Sequence, residues 1–298
     1  MKEAFSINYP SVNMGEIIYA INASTEKDIE IAEEVVTEIE EEVKEEIKEE
    51  VKEELEDELK EDIVVAKVDN KVIAPSRGDV SNRSSSETAP AGSLNKYVLD
   101  VIKTYKIGSY PYLLNNDYKN YNGVTENLYY KGELLLKAEP SGSKASNCTG
   151  ITFEVFFKAM QNRNNALGID PDNFNGMTKD ELHDMALTWF VAMGSKSQSN
   201  IAVAVEKYDL GYRITNLEEL RAGDFIDLSR ENNSGHTVVF LNWIREGNKI
   251  IGFKYWSSQG STKGISYKEE YFNIVNSNGK KYGNVIIDSL HMARIIPK

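Results

Sequence analysis

The stretch "SNCTGITFEVFFKAM", residues 146 to 160, decides how the chain is read, because it joins the one cysteine of the sequence to its densest apolar run. Small and polar residues, "PSGSKASN", lead into Cys148, and "ITFEVFFKAMQ" follows it as a buried helix would. A thiol at a helix N-terminus meets unpaired backbone N–H groups and the positive end of the helix dipole, which stabilise a thiolate and lower its pKa. The same amides can receive an oxyanion when the thiolate attacks a carbonyl. Gly150 keeps one side of the first turn open. The other reading is a small apolar residue at the start of a core helix, since free cysteines are among the most buried residue types.

A nucleophilic thiol needs a base, and three histidines are available: His183, His236 and His291. His183 lies in the charged "KDELHDM", where a solvated surface residue is expected, and His291 lies in "SLHMARII", where an ordinary half-buried strand residue is expected. His236 follows the turn-forming "ENNSG" and opens the strand "HTVVFLNWI", a position from which a rigid sheet presents a base to a cleft. That strand runs to Glu246, and the next begins at Lys249 across Gly247-Asn248, which suits a two-residue turn with Gly first. In the simplest register His236 faces Gln259. With the loop centred one residue earlier it faces Ser257, and Gln259 stays diagonal on the same face. An amide oxygen accepting from one ring N–H fixes the tautomer and leaves the other nitrogen as base. A solvated Gln259 in the turn-rich "SSQGSTKG" is the alternative.

Around these residues the chain divides by composition. Of its 47 acidic and 34 basic residues, 20 acids and five lysines fall between Glu26 and Asp62, so the remaining 27 acids and 29 bases nearly balance. Residues 26–63 form an acidic helical arm in which Ile39, Val43, Ile47, Val51, Leu55, Leu59 and Ile63 recur every fourth position. That stripe drifts by about 40° per step, too fast for a coiled-coil seam. Glu41–Lys44, Glu45–Lys48 and Glu49–Lys52 support an isolated helix, read either as a solvated spacer or as a docking arm for a basic partner. Residues 1–25 form a short N-terminal segment, and residues 64–93, rich toward their end in Ser, Pro and Gly, a linker. Residues 94–298 then suffice for one globular domain.

Within that domain, "MTKDELHDMALTWFVAM" carries a capping box, Thr178 with Glu181, before an amphipathic helix. From residue 224, "DFIDL", "HTVVFLNWI", "KIIGFKYWSS" and "NVIIDSLHMARII" read as strands. Helices first and strands later predict an α+β fold, helices packed on a mainly antiparallel sheet. One cysteine closes no internal disulfide, no apolar run reaches membrane-spanning length, and no basic face suggests nucleic acid. "DPDNFNGMTKDEL" departs from calcium-loop spacing and reads as a turn feeding the capped helix. The residues indicate neither metal nor cofactor. The N-terminus lacks a recognisable secretory leader, which places the chain in the cytoplasm by sequence.

The two blocks "NCTGITFEVF" and "LRAGDFIDL…SGHTVVFL" resemble those of NlpC-type cell-wall peptidases, the first like their Asp-Cys-Ser-Gly helix start, the second like their Gly-Asp turn and Gly-His strand. The resemblance implies a papain-like fold with Cys on a helix and His and a polar orienter on successive strands. The order Cys148, His236, Gln259 follows it. It implies amide cleavage through a thioester, with a peptidoglycan stem peptide as substrate and a place in the cell envelope or outside the cell. The same pair would serve a transglutaminase or deamidase, and an inactive papain-fold binding module is the alternative from another class. Asn147 stands for the usual Asp and Thr149 for the usual Ser, the orienter is Gln, and the long Cys-to-His interval implies a helical insertion over residues 162–215. In such families the segment before the cysteine walls the cleft, so Tyr110 and Tyr112 are candidates for the oxyanion site, with Asn147 and Ser257 as further substrate contacts.

Overall fold

The computed structural model describes residues 89–114 and 117–298. The expectations for residues 1–25, for the acidic arm 26–63 and for most of the 64–93 linker lie outside the described residues.

The described chain begins with helix α1 (Asn95–Ile102) and a small hairpin of β1 (Leu128–Tyr130) and β2 (Glu133–Leu136). Then come α2 (Cys148–Ala166), α3 (Lys179–Trp189) and α4 (Ile201–Lys207). The strands β3 (Gly211–Ile214), β4 (Phe225–Ser229), β5 (Gly235–Glu246), β6 (Lys249–Gln259), β7 (Gly264–Tyr271) and β8 (His291–Ile295) form one sheet. Its spatial order is β3-β8-β4-β5-β6-β7, and every neighbouring pair is antiparallel. The fold is α+β, as the sequence predicts.

Strand alternation gives the sheet two apolar faces. Phe225, Val239, Trp256 and Ala293 meet the helices, where α2 contributes Ile151, Phe153, Val155 and Phe156. Trp189 of α3 stacks on Phe156 at 5.6 Å between ring centres. Ile226, Val238, Tyr255 and Met292 point the other way, into a second core closed by Leu220, Phe272 and Val285. The helix α2 is therefore buried on nearly every side, which explains why its apolar residues show no clean stripe.

The capping box is formed as read: Thr178 Oγ1 accepts from the Glu181 N–H at 3.2 Å, and the Glu181 carboxylate accepts from the Thr178 N–H at 2.8 Å. The segment read as a helical insertion holds the end of α2, then α3, α4 and β3. Its last element is an edge strand of the main sheet, so the segment is built into the fold. "NVIIDSLHMARII" also differs from its reading as one strand, because a short 3-10 turn at Ile287–Ser289 precedes β8. The Gly-Asp turn has an anchoring role. Gly223 (φ +92°) lies against the Asn95 backbone, where a Cβ would come within 2.7 Å of the carbonyl oxygen. Asp224 accepts from Arg294 Nε at 2.9 Å and from Asn95 Nδ2 at 2.8 Å, fastening α1 to β4 and β8.

Candidate active site

Cys148 is the first residue of α2. The helix starts there because Asn147, in extended conformation, accepts the Gly150 N–H at 2.8 Å and the Thr149 hydroxyl at 3.1 Å through its side-chain oxygen. The Asn147 N–H donates to Gly123 O at 3.1 Å. Asn147 is thus an N-cap and locks the helix start to the preceding loop. Two chain segments meet closely there: a Cβ on Gly150 would lie 2.2 Å from the Gly123 carbonyl, and one on Gly123 (φ +78°) would lie 2.3 Å from the Asn147 side chain.

The hairpin of β5 and β6 turns at Gly247 (φ +57°), and Val239 pairs with Trp256 and Phe240 with Tyr255. Next to the turn and again at Val239–Phe240 this is the first of the two registers considered from the sequence; between them two irregularities, after Phe240 and after Ile244, shift it by one residue and back. Continued to the strand end it sets His236 opposite Gln259, whose Cα partner on the other side is Gly264. The Gln259 side chain hydrogen-bonds the His236 imidazole and favours its charged form. Nε2 of His236 is buried without a partner, and Gln259 Oε1 accepts from the Tyr255 hydroxyl at 2.7 Å. Burial holds the imidazole well below its ordinary pKa, and the positive charges of Arg230, Lys268 and Lys196 push the same way. The Tyr255 ring stands edge-on to it at 5.6 Å.

The backbone amides of Thr237 and Thr149 lie near the Cys148 thiol and favour its thiolate. The thiol therefore lies by the residue next to His236. Thiol and imidazole share no hydrogen bond: His236 pairs with Leu228 and packs on Tyr255, on the sheet face turned away from the helices, whereas Cys148 opens α2 on the other face. The depressed thiol pKa expected at a helix N-terminus is not found. Burial pushes it up to about 11, and nearby Asp227 adds to the rise; the two amides and Arg230 pull against them and lose. Desolvation of a thiolate outweighs the helix end here.

Of the other sequence candidates, Tyr110 packs edge-on against Tyr105 at 5.3 Å, and its carbonyl accepts from the Ile265 N–H at 3.1 Å. Tyr112 makes a parallel bridge with Ser146, two residues before the cysteine, and its N–H donates to Lys263 O at 3.2 Å. The segment therefore runs beside the chain that leads into Cys148. Ser257 is engaged in the sheet, its hydroxyl donating to Thr237 O at 2.7 Å.

Asp227 is a residue that sequence reasoning missed. It lies on β4 opposite Thr237 on one side and His291 on the other, 2% exposed. Oδ1 pairs with Lys196 Nζ at 2.7 Å, while Oδ2 is buried without a partner. Burial raises its pKa to about 6 against the pull of Lys196. The second acid of "DFIDL", set between apolar residues, was the available signal; Lys196, from the loop between α3 and α4, offered none. Among the described residues the buried polar side-chain atoms without partners are Ser146 Oγ, Asp227 Oδ2, His236 Nε2 and Trp256 Nε1. All lie just before Cys148 or on the central strands β4, β5 and β6. Buried polar groups are nearly always paired, so such a cluster marks a place where something other than folding is served.

Among the described residues no three His, Cys, Asp or Glu side chains are grouped to hold a metal ion, and no helix is long and apolar enough to cross a membrane. The chain matches no protein-family model, no curated protein and no solved structure.

Proposed function

We propose that this protein is a cysteine hydrolase of amide bonds with a papain-like, NlpC-like arrangement, in which Cys148 is the nucleophile, His236 the general acid and base, and Gln259 the orienter. The observation that carries the reading is where α2 begins: the Cys148 thiol lies by the Thr237 amide at the start of β5, and the adjacent residue, His236, has a ring nitrogen buried without a partner. The half-buried thiol and the buried imidazole both start neutral. For the reaction the His236 ring must come round the start of β5 to the thiol's face; Nε2 then takes the thiol proton as sulfur attacks the carbonyl carbon, and the same proton passes to the departing amine as the thioester forms. Water, deprotonated by His236, then attacks the thioester, releasing the acid and restoring the thiol. The Cys148 and Thr149 amides at the start of α2 are the candidate oxyanion donors, and the Tyr110–Tyr112 segment walls the cleft. A peptidoglycan stem peptide is the proposed substrate class, by resemblance of the two sequence blocks. An acceptor amine in place of water would make the same site a transglutaminase.

The missing thiol–imidazole bond and the raised thiol pKa favour a second reading, a papain-fold binding module without catalysis. Incubation of wild type, Cys148→Ala and His236→Ala with muropeptides, with acid quenching and mass spectrometry, separates the two. The enzyme reading expects new amine and acid termini, an acyl adduct on wild type, no turnover for Cys148→Ala, and a loss of about 10²–10⁴-fold for His236→Ala. Muropeptides bound intact and unmodified, equally by all three proteins, would establish the binding module.

A further inference from the structure

The sheet face that meets the helices carries an acid beside the thiol. Along β4, Phe225 packs toward the helices while Ile226 and Leu228 face the second core, so alternation turns Asp227 toward α2. Its cross-strand partner is Thr237, whose amide lies by the Cys148 thiol and which shares the helix-facing side of β5 with Val239.

The Asp227 carboxylate is held by one oxygen only. Oδ1 pairs with Lys196 Nζ at 2.7 Å, and Lys196 is fixed in turn by Leu228 O at 2.6 Å and Ser229 Oγ at 2.9 Å. Oδ2 is buried with no donor, a cost from which folding gains nothing. His291, opposite Asp227 on β8, is held near 4 by burial, Lys196 and Arg213, so it is uncharged at neutral pH. Arg230, just beyond β4, favours the thiolate from farther along the strand.

A proton passing from Cys148 to Asp227 leaves the charge of this enclosed site unchanged. Lys196 faces a carboxylate and a neutral thiol before the transfer, and a carboxylic acid and a thiolate after it. A thiol that lost its proton to solvent would instead become a second anion beside Asp227, the repulsion that helps to hold its pKa near 11.

We propose that Asp227 is a further acid–base residue of the site, taking the Cys148 proton on Oδ2 directly or through one water. The S–H bond breaks with its electron pair left on sulfur, sulfur bonds the carbonyl carbon, and the carbonyl π pair moves onto oxygen. As that pair returns, the C–N bond breaks and the departing amine takes the proton from Asp227. The inference rests on Cys148 being the nucleophile of the proposed reaction. With the imidazole on the far face of the sheet, this is the route open to the thiol proton, and His236 keeps the deprotonation of water.

The pH dependence of Cys148 alkylation by iodoacetamide in the full chain is the test. A thiol without a base alkylates about tenfold faster per pH unit up to its pKa. A proton shared with Asp227 gives a plateau, because the fraction resting on the carboxylate is independent of pH while the pair holds one proton. Wild type should show an acid limb near 6, where Asp227 titrates, and a flat rate from there to about pH 8. Asp227→Asn should abolish the plateau and slow alkylation at about pH 6.5 by about tenfold or more, whereas His236→Ala should keep it. Lys196→Met, lacking the cation on Oδ1, should move the acid limb to higher pH. An Asp227 acting by charge alone gives the opposite sign, since its removal lowers the thiol pKa and speeds alkylation. That result would overturn the proposal, as would a wild-type rate without a plateau. A plateau lost in His236→Ala and kept in Asp227→Asn would also overturn it while leaving the enzyme reading standing. A thiol unreactive at every pH in the folded protein would overturn both.

Discussion

Replacement of Gly150 by alanine tests whether the start of α2 is held as tightly as the geometry requires. The new Cβ would lie 2.2 Å from the Gly123 carbonyl carbon and oxygen, where ordinary contact begins at 3.4 Å. Gly123 has little freedom to retreat, since its oxygen accepts the Asn147 N–H and its open side is filled by the Asn147 side chain. The first turn of α2 must therefore shift by about 1.2 Å, the difference between those two distances. Overpacking against backbone costs about 3 kcal/mol, and the better helix propensity of alanine returns about 1, for a net loss of about 2 kcal/mol. The same shift moves the thiol off the Thr237 amide, and a displacement of that size costs about 10²-fold in rate. Urea unfolding reads the first effect, and turnover of the muropeptide substrate reads the second. Gly235→Ala is the control beside His236, because its Cβ would meet nothing nearer than Lys196 Nζ at 3.6 Å. It should change stability by less than about 0.5 kcal/mol. A Gly150→Ala protein as stable as that control would refute the close approach.

Other outcomes follow from buried charge. Asp227, raised from 3.8 to about 6, binds more protons folded than unfolded between those values, so its contribution to stability falls by about 3 kcal/mol as pH rises through the window. His236, and His291 at about 4, are depressed and have the opposite sign, losing stability as pH falls from 6.5. Asp227→Asn should therefore make unfolding free energy climb more steeply between pH 4 and pH 6; an unchanged slope by urea denaturation would contradict it. Glu154 accepts from Thr125 N at 2.6 Å, Tyr105 Oη at 2.8 Å and Lys158 Nζ at 2.6 Å, fully buried. Glu154→Ala should lose about 3–5 kcal/mol, seen as a large fall in thermal midpoint, because it strands these donors.

The α+β class, the capping box and the β5–β6 register were legible because each depends on local pattern: Thr178 with Glu181, and strand alternation about Gly247-Asn248. What the pattern could not carry was the balance at Cys148. A helix N-terminus argues for a thiolate, but burial by residues distant in sequence argues more strongly against it, and burial is a tertiary quantity. Asp227 escaped notice for a related reason. An acid in an apolar strand gains meaning only when Lys196 and the thiol are brought beside it from other elements. Asn147 and Ser257 were read as site residues where hydrogen bonding to backbone gives them structural work as well.

The place of β8 bears on how the molecule is made. It is the final strand, yet it lies between β3 and β4 and pairs with both. During synthesis the sheet therefore waits with a gap until β8 has left the ribosome. Until then β4, with Asp227, has an open edge, and β3 has no neighbour to join. Completion depends on contacts between residues far apart in sequence, which form slowly. The thiol-bearing site should thus be assembled only once β8 has emerged, leaving the earlier nascent chain without an organised nucleophile and with an exposed strand edge for chaperones to shield.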